Sequence, residues 1–171
     1  MIVTIWRHGE AGEAFADRRR ELTGSGRDDI GFGCQQFHLA CAGRNMPAPD
    51  LILHSPWVRT RQTAELIASA FAHATVRPEA ALRPGSEPAA VDAALDACMK
   101  SQLQSAACPQ HVVLVSHQPL VSRLVDNYLG ESGSVPPLSP GGLATLELDV
   151  AATDGGRLRF WALPPEYETS V

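Results

Sequence analysis

Three short apolar runs, Ile2 to Trp6, Leu51 to Leu53 and Val112 to Val115, each lead into a polar segment, and this pattern limits the possible folds more than any other. Near-continuous runs rich in β-branched residues lack the alternation of a half-solvated strand. They fit strands covered on both faces by helices. Helical stripes lie between them. Ile30, Cys34, Phe37 and Cys41 mark one, weakened by Gly31 and Gly33, and Ser55-Pro56 reads as an N-cap and first-turn pair ahead of Ala64, Ile67, Ala68 and Phe71. Val91, Leu95, Cys98, Met99 and Leu103 make a third, and Val121, Leu124, Val125 and Tyr128 a fourth that Gly130 should end. Near the end, Leu146, Leu148 and Val150 alternate with Thr145, Glu147 and Asp149. Asp154-Gly155-Gly156 offers a turn before Leu158, Phe160 and Ala162. The expected fold is α/β: a three-layer α/β/α sandwich whose mostly parallel mixed sheet ends in a C-terminal antiparallel hairpin, with residues 1–171 as one domain.

Length and composition narrow the function. With 171 residues, 44% of them hydrophobic, the chain can bury one substantial core. The opening apolar run is too short for a signal peptide or a membrane span, so a cytoplasmic protein with no membrane partner is expected. Cys34, Cys41, Cys98 and Cys108 show no C-x-x-C pairing, which points to reduced thiols rather than zinc or disulfides. A net charge of −5 argues against a nucleic-acid-binding surface. His38, His54, His73 and His111 have no metal-ligand spacing, so no metal and no cofactor are expected.

The polar segments after the three runs are Arg7-His8-Gly9-Glu10, Ser55-Pro56-Trp57-Val58-Arg59 and Ser116-His117-Gln118-Pro119. Open α/β sheets bind ligands at the carboxyl ends of their parallel strands. If the three strands are neighbours, two histidines and two arginines therefore meet in one pocket. Neutral imidazole is a competent nucleophile, and adjacent guanidinium groups hold it deprotonated while attracting an anion. Gly9 should let the backbone turn and keep the approach open. Arg59 and His117 both fall at helix starts, whose free N–H groups favour an anion. Trp6 and Trp57 lie near the predicted rim, where packing is the simpler role, and Thr23 and Thr63 read as helix-start and packing residues. The stretches Pro84 to Pro88 and Gly130 to Gly142 read as loops at the mouth of the site.

The ordered segments R-H-G-E (7 to 10), L-T-x-x-G (22 to 26), S-P-x-x-R-x-x-Q-T (55 to 63) and S-H-Q-P (116 to 119) resemble the motifs of the histidine phosphatase, or phosphoglycerate mutase-like, superfamily. The short length, R-x-L-T from Arg20 and Gln118-Pro119 after the second histidine are similar to its SixA-type phosphohistidine phosphatases. The resemblance implies that His8 is a nucleophile that becomes phosphorylated. It also implies that Arg7, Arg59 and His117 bind the phosphoryl oxygens and that no metal takes part. Arg20 resembles a further phosphate-contacting position, although Arg18, Arg19 and Arg20 also read as a solvated basic face.

One position departs from many superfamily phosphatases, which place an acid directly after the second histidine or in the loop after the third strand. Gln118 cannot protonate a leaving group, and Glu87 is the candidate substitute. Imidazole leaves more readily than an alkoxide, so the gap favours a phosphohistidine substrate. The short chain leaves little room for a lid and suggests an open pocket. The expectation is a monomeric phosphatase acting on a phosphohistidine-containing protein, such as a histidine phosphotransfer or phosphocarrier domain. The alternatives are a phosphatase of a small monoester metabolite and a non-catalytic phosphate-binding regulatory module.

Overall fold

The computed structural model describes residues 1–102 and 108–171. In chain order the elements are β1 (Ile2–Arg7), α1 (Gly24–Gly43), β2 (Leu51–His54), α2 (Val58–Ala70), β3 (Thr75–Pro78), α3 (Pro88–Gln102), β4 (His111–Ser116), α4 (Leu120–Leu129), β5 (Leu143–Leu148) and β6 (Gly156–Ala162). The strands form one sheet in the order β3-β2-β4-β1-β5-β6. The first four are mutually parallel, and β5 and β6 run antiparallel. The expected three-layer α/β/α sandwich with its terminal hairpin is the fold observed.

Two apolar clusters explain why the runs do not alternate. On one face Val3, Ile5, Leu114 and Leu146 pack with Val91 and Leu95 of α3 and with Val121, Leu124 and Tyr128 of α4. On the other, Trp6, Ile52, Val113 and Val115 pack with Ile30 and Phe37 of α1 and with Ala64 and Ile67 of α2. Each fully buried aliphatic side chain contributes about 1.5–3 kcal/mol, so a strand with both faces covered gains from an apolar residue at every position. Leu103, the last member of the third stripe, lies outside the described residues.

Several boundaries differ from the sequence expectation. Strand β3 gives no apolar signal because Thr75–Pro78 is an edge strand that is only half buried. Helix α2 starts at Val58, and its N-cap is Trp57 rather than Ser55, whose buried hydroxyl has no hydrogen-bond partner. The hairpin strand β5 starts at Leu143 and stops at Leu148, leaving Val150 exposed. Thr145, expected on the solvent side, is fully buried because β5 is an interior strand covered on both faces.

Thr145 belongs to a polar network inside the sheet. His111, the first residue of β4, donates from Nδ1 to the Pro47 carbonyl at 2.8 Å, and its Nε2 lies 2.8 Å from the Thr4 hydroxyl. Thr4 in turn lies 2.9 Å from the Thr145 hydroxyl. Every polar atom of the His111 ring is thus satisfied. Burial lowers its pKa, against the opposing pull of the Pro47 bond and Asp50.

After β6 the chain folds back, and Tyr167 is buried against Gly33 of α1 and Gly141. A side chain at Gly33 would overlap the Tyr167 ring, which accounts for a glycine in mid-helix despite its low helix propensity. No helix among the described residues is long and apolar enough to cross a membrane.

Candidate active site

Strand register assembles the site. Arg7 is paired with Ser116 across β1 and β4, and His54 with Val115 across β2 and β4. The segments that follow these strands therefore leave the sheet side by side, and the His8 and His117 rings lie 5.1 Å apart. They open on a cleft of ≈ 350 Å³ lined by Arg7, His8, Arg20, Arg59 and His117, with Glu10, Asp17 and Gln118. Pro84 and Pro140, from the two loops expected at the mouth, complete the wall. A larger groove of ≈ 580 Å³ between α1 and α2 contains no arginine or lysine.

The protonation of His8 follows from its partners. Nδ1 is 2.7 Å from the Gly9 carbonyl, an acceptor only, so Nδ1 carries the proton. Nε2 accepts from Arg59 Nε at 3.0 Å and therefore presents a lone pair. Burial is the main reason that the pKa of His8 falls to about 4. The Gly9 bond opposes the shift, and the charges of Arg59, Arg7 and Arg20 add to it. His8 is accordingly neutral near pH 7.

The backbone beneath His8 is held by the motif residues around it. Thr63 Oγ1 accepts from the Gly9 N–H at 3.2 Å and donates to the Arg59 carbonyl at 2.8 Å. Gln62 accepts from the Leu22 N–H at 2.8 Å, and Thr23 caps α1 by accepting from the Gly26 N–H at 2.9 Å. Gly9 is needed for a reason other than the expected turn. An added Cβ there would lie 2.8 Å from the Gly26 carbonyl, and one at Gly26 would strike the Glu10 backbone. The two glycines let α1 approach the loop that carries His8.

The cations differ in their engagement. Arg7 donates from Nη1 to the Leu138 carbonyl at 2.9 Å, while its buried Nε has no partner. Arg20 clasps the Gly12 and Ala11 carbonyls at 2.6 and 3.0 Å, so it belongs to the pocket, whereas Arg18 and Arg19 are exposed. His117 is only 2% exposed, and neither ring nitrogen has a hydrogen-bond partner. Its pKa falls to about 3, chiefly through burial and then through its neighbours His8 and Arg59. Buried polar atoms are nearly always paired, so the two His117 nitrogens leave hydrogen-bonding capacity unspent beside the cleft.

Trp57 lies outside the cleft lining and packs behind two residues that form it. Its ring carries the Arg59 guanidinium at 4.7 Å and meets the edge of His117 at 5.0 Å. Trp6 is fully buried against Phe37 and likewise forms no part of the rim.

Glu87 does not serve as the expected acid. It forms an exposed ion pair with Arg123, whose hydrogen bond holds the Glu87 carboxyl below its ordinary pKa, and it lies outside the cleft lining. Gln118 donates to Ser122 at 2.7 Å and to the Leu138 carbonyl at 3.0 Å. Sequence reasoning missed Asp17. Its carboxylate accepts from Arg20 at 3.2 Å and from Arg59 at 3.3 Å. Burial is the largest single influence on the Asp17 pKa and raises it, but the hydrogen bonds and charges of Arg20 and Arg59 together outweigh it and lower the pKa, which favours the ionised group. The signal available was the Asp17 to Arg20 spacing, an i,i+3 acid–base pair within a charged run. Among the described residues no group of histidines, cysteines or acids is arranged to hold a metal ion.

The fold is that of histidine phosphatase superfamily structures. The chain is similar to the protein histidine phosphatase SixA solved with tungstate, at 25% identity over 96% of this chain and 97% of the other, with a TM-score of 0.75. A structure assigned to phosphohistidine phosphatase SixA of Agrobacterium tumefaciens superposes with a TM-score of 0.70, at 24% identity over 95% and 98%. The mycobacterial glucosyl-3-phosphoglycerate phosphatase solved with VO3 gives 0.65, at 18% identity over 95% and 99%. No protein-family model and no curated protein matches the chain.

Proposed function

We propose that this chain is a metal-independent phosphatase that removes phosphate from phosphohistidine on a protein, acting as a monomer in the cytoplasm through a covalent phospho-His8 intermediate. The observation that carries the reading is the His8 ring: Nδ1 is fixed as donor and the Nε2 lone pair faces an arginine cleft. The SixA structures among the neighbours support the same substrate class.

Chemically, Nε2 attacks phosphorus in line while the P–N bond to the substrate imidazole breaks. Arg59 Nε–H moves from the lone pair to a phosphoryl oxygen. Arg7, Arg20 and His117 stabilise the equatorial oxygens, with His117 donating once the anion has raised its proton affinity. A substrate ring protonated on its other nitrogen leaves as neutral imidazole and needs no acid from the enzyme. This suits a cleft where Asp17 is held ionised, Glu10 accepts from Thr23 at 3.0 Å, and Glu87 lies elsewhere. Water then attacks phospho-His8, releasing orthophosphate and restoring the neutral ring.

The test compares phosphate release from a phosphohistidine protein with release from small monoesters, alongside trapping of the phosphoenzyme. Wild type should prefer the phosphoprotein and become labelled. His8→Ala should lose label and lower turnover by about 10⁴-fold or more. The glucosyl-3-phosphoglycerate phosphatase among the neighbours favours a second reading, hydrolysis of a small phosphate monoester. Activity on monoesters alone would select that reading. Phosphate binding with neither turnover nor label would indicate a regulatory module.

A further inference from the structure

We propose that Asp17 is a built-in competitor for the phosphoryl group, setting how tightly the cleft holds phosphate and therefore how readily the product leaves. The inference rests on the phosphate-binding reading of the cleft. Asp17 opens a single 3-10 turn, Asp17–Arg19, at the cleft wall. Arg59 donates from Nη2 to its carboxylate at 3.3 Å and from Nη1 to its backbone carbonyl at 2.8 Å. With Nε on His8, all three guanidinium nitrogens of Arg59 are engaged. Arg20 is similarly occupied: Nε and Nη2 hold backbone carbonyls, and Nη1 holds Asp17. A phosphoryl oxygen that binds Arg59 Nη2 or Arg20 Nη1 along the line of these bonds must therefore displace the Asp17 carboxylate, whereas Arg7 Nε and the His117 ring are not engaged by it.

The exchange is one charge-assisted hydrogen bond for another of the same kind. Exposure sets which partner moves. The Arg59 side chain is 6% exposed and packed on Trp57, whereas that of Asp17 is 54% exposed and can turn into water while the arginine stays in place. Orthophosphate is held by Arg7 and His117 together with the Arg59 and Arg20 donors that Asp17 competes for. The same competition acts on the phosphoryl group of a substrate, so Asp17 lowers the affinity for both by a similar factor, and for orthophosphate that loss shortens its stay in the cleft.

Orthophosphate binding to the whole chain, measured by titration calorimetry and as competitive inhibition of turnover, tests this. Asp17→Asn removes the charge and keeps the shape, and Asp17→Ala removes both. Both variants should bind orthophosphate about five- to tenfold more tightly than wild type. If wild type binds phosphate and the variants bind it equally or more weakly, Asp17 only positions the arginines and the proposal is overturned. If none of the three binds phosphate, the phosphate reading itself fails and this inference with it. Unchanged thermal melting confirms that each variant is folded.

Discussion

His111 and His117 bracket the same strand, one opening β4 and the other following its last residue, and both are buried with pKa values lowered by burial. They differ in hydrogen bonding. His111 has a partner for each ring nitrogen and ties β4 to β1 and to the Pro47 segment, while neither nitrogen of His117, a residue that lines the cleft, has a hydrogen-bond partner. Burial and a depressed pKa alone therefore do not mark a functional histidine. Unspent hydrogen-bonding capacity at the carboxyl end of parallel strands does.

Between these two histidines the larger effect on catalysis should come from His117→Ala, with a fall in kcat/KM of about 10²–10³-fold, as when an oxyanion donor is removed, and little change in thermal melting. Steady-state kinetics and a melt on the same sample check it. A large loss of stability with intact kinetics would reverse the roles of the two histidines.

The pH dependence of stability comes next. His117 has a folded pKa of about 3, below the ordinary 6.5, so the unfolded chain takes up the proton first. Its contribution is complete above pH 6.5, declines as the pH falls toward 3, and is constant below that. The slope is about 1.4 kcal/mol per pH unit over that window. Denaturant melts should show a shallower slope for His117→Gln. Orthophosphate should also flatten the wild-type slope, because the anion can pair with protonated His117 but cannot reach His111.

His111→Ala should have the complementary effect, a loss of about 1–3 kcal/mol from the orphaned Thr4 and Pro47 groups and the lost packing, with kcat within about twofold of wild type. Urea unfolding and kinetics on one preparation are sufficient. The smallest effect should come from Glu87→Gln, with kcat/KM for the phosphoprotein changed by less than about twofold, because Glu87 is an exposed partner of Arg123. A tenfold loss in a pH-rate profile that also loses its basic limb would restore Glu87 as the acid.

The parts legible in the sequence were those governed by burial. Val112 to Val115 and Ile2 to Trp6 could only be strands covered on both faces, and their register alone brings His8 beside His117. Edge strand β3 was invisible because half-exposed Thr75–Pro78 carries no apolar run. The Ser55-Pro56 signature misplaced the start of α2, since Ser55 remains with the strand exit, its N–H bonded to the Val115 carbonyl at 3.1 Å. Motif residues announced the cations of the site. Asp17 stayed hidden, because a carboxylate bridging Arg20 to Arg59 depends on a contact across 42 residues that local patterning cannot encode.

Tyr167 carries a consequence for how chains of this kind can diverge. Its hydroxyl donates to the Gly141 carbonyl at 3.1 Å, the Gly141 N–H donates to the His8 carbonyl at 3.0 Å, and the ring occupies the space that Gly33 leaves open. Positions 33, 141 and 167 are thus interdependent: the ring excludes side chains at the two glycines, and without it they would border a void. Among homologues, Gly33 should covary with an aromatic residue at 167, whereas Gly141, with φ +86°, should stay glycine whatever fills 167. A lineage that lost the tyrosine would be free to fill position 33, and it would have to find another way to steady the backbone at His8.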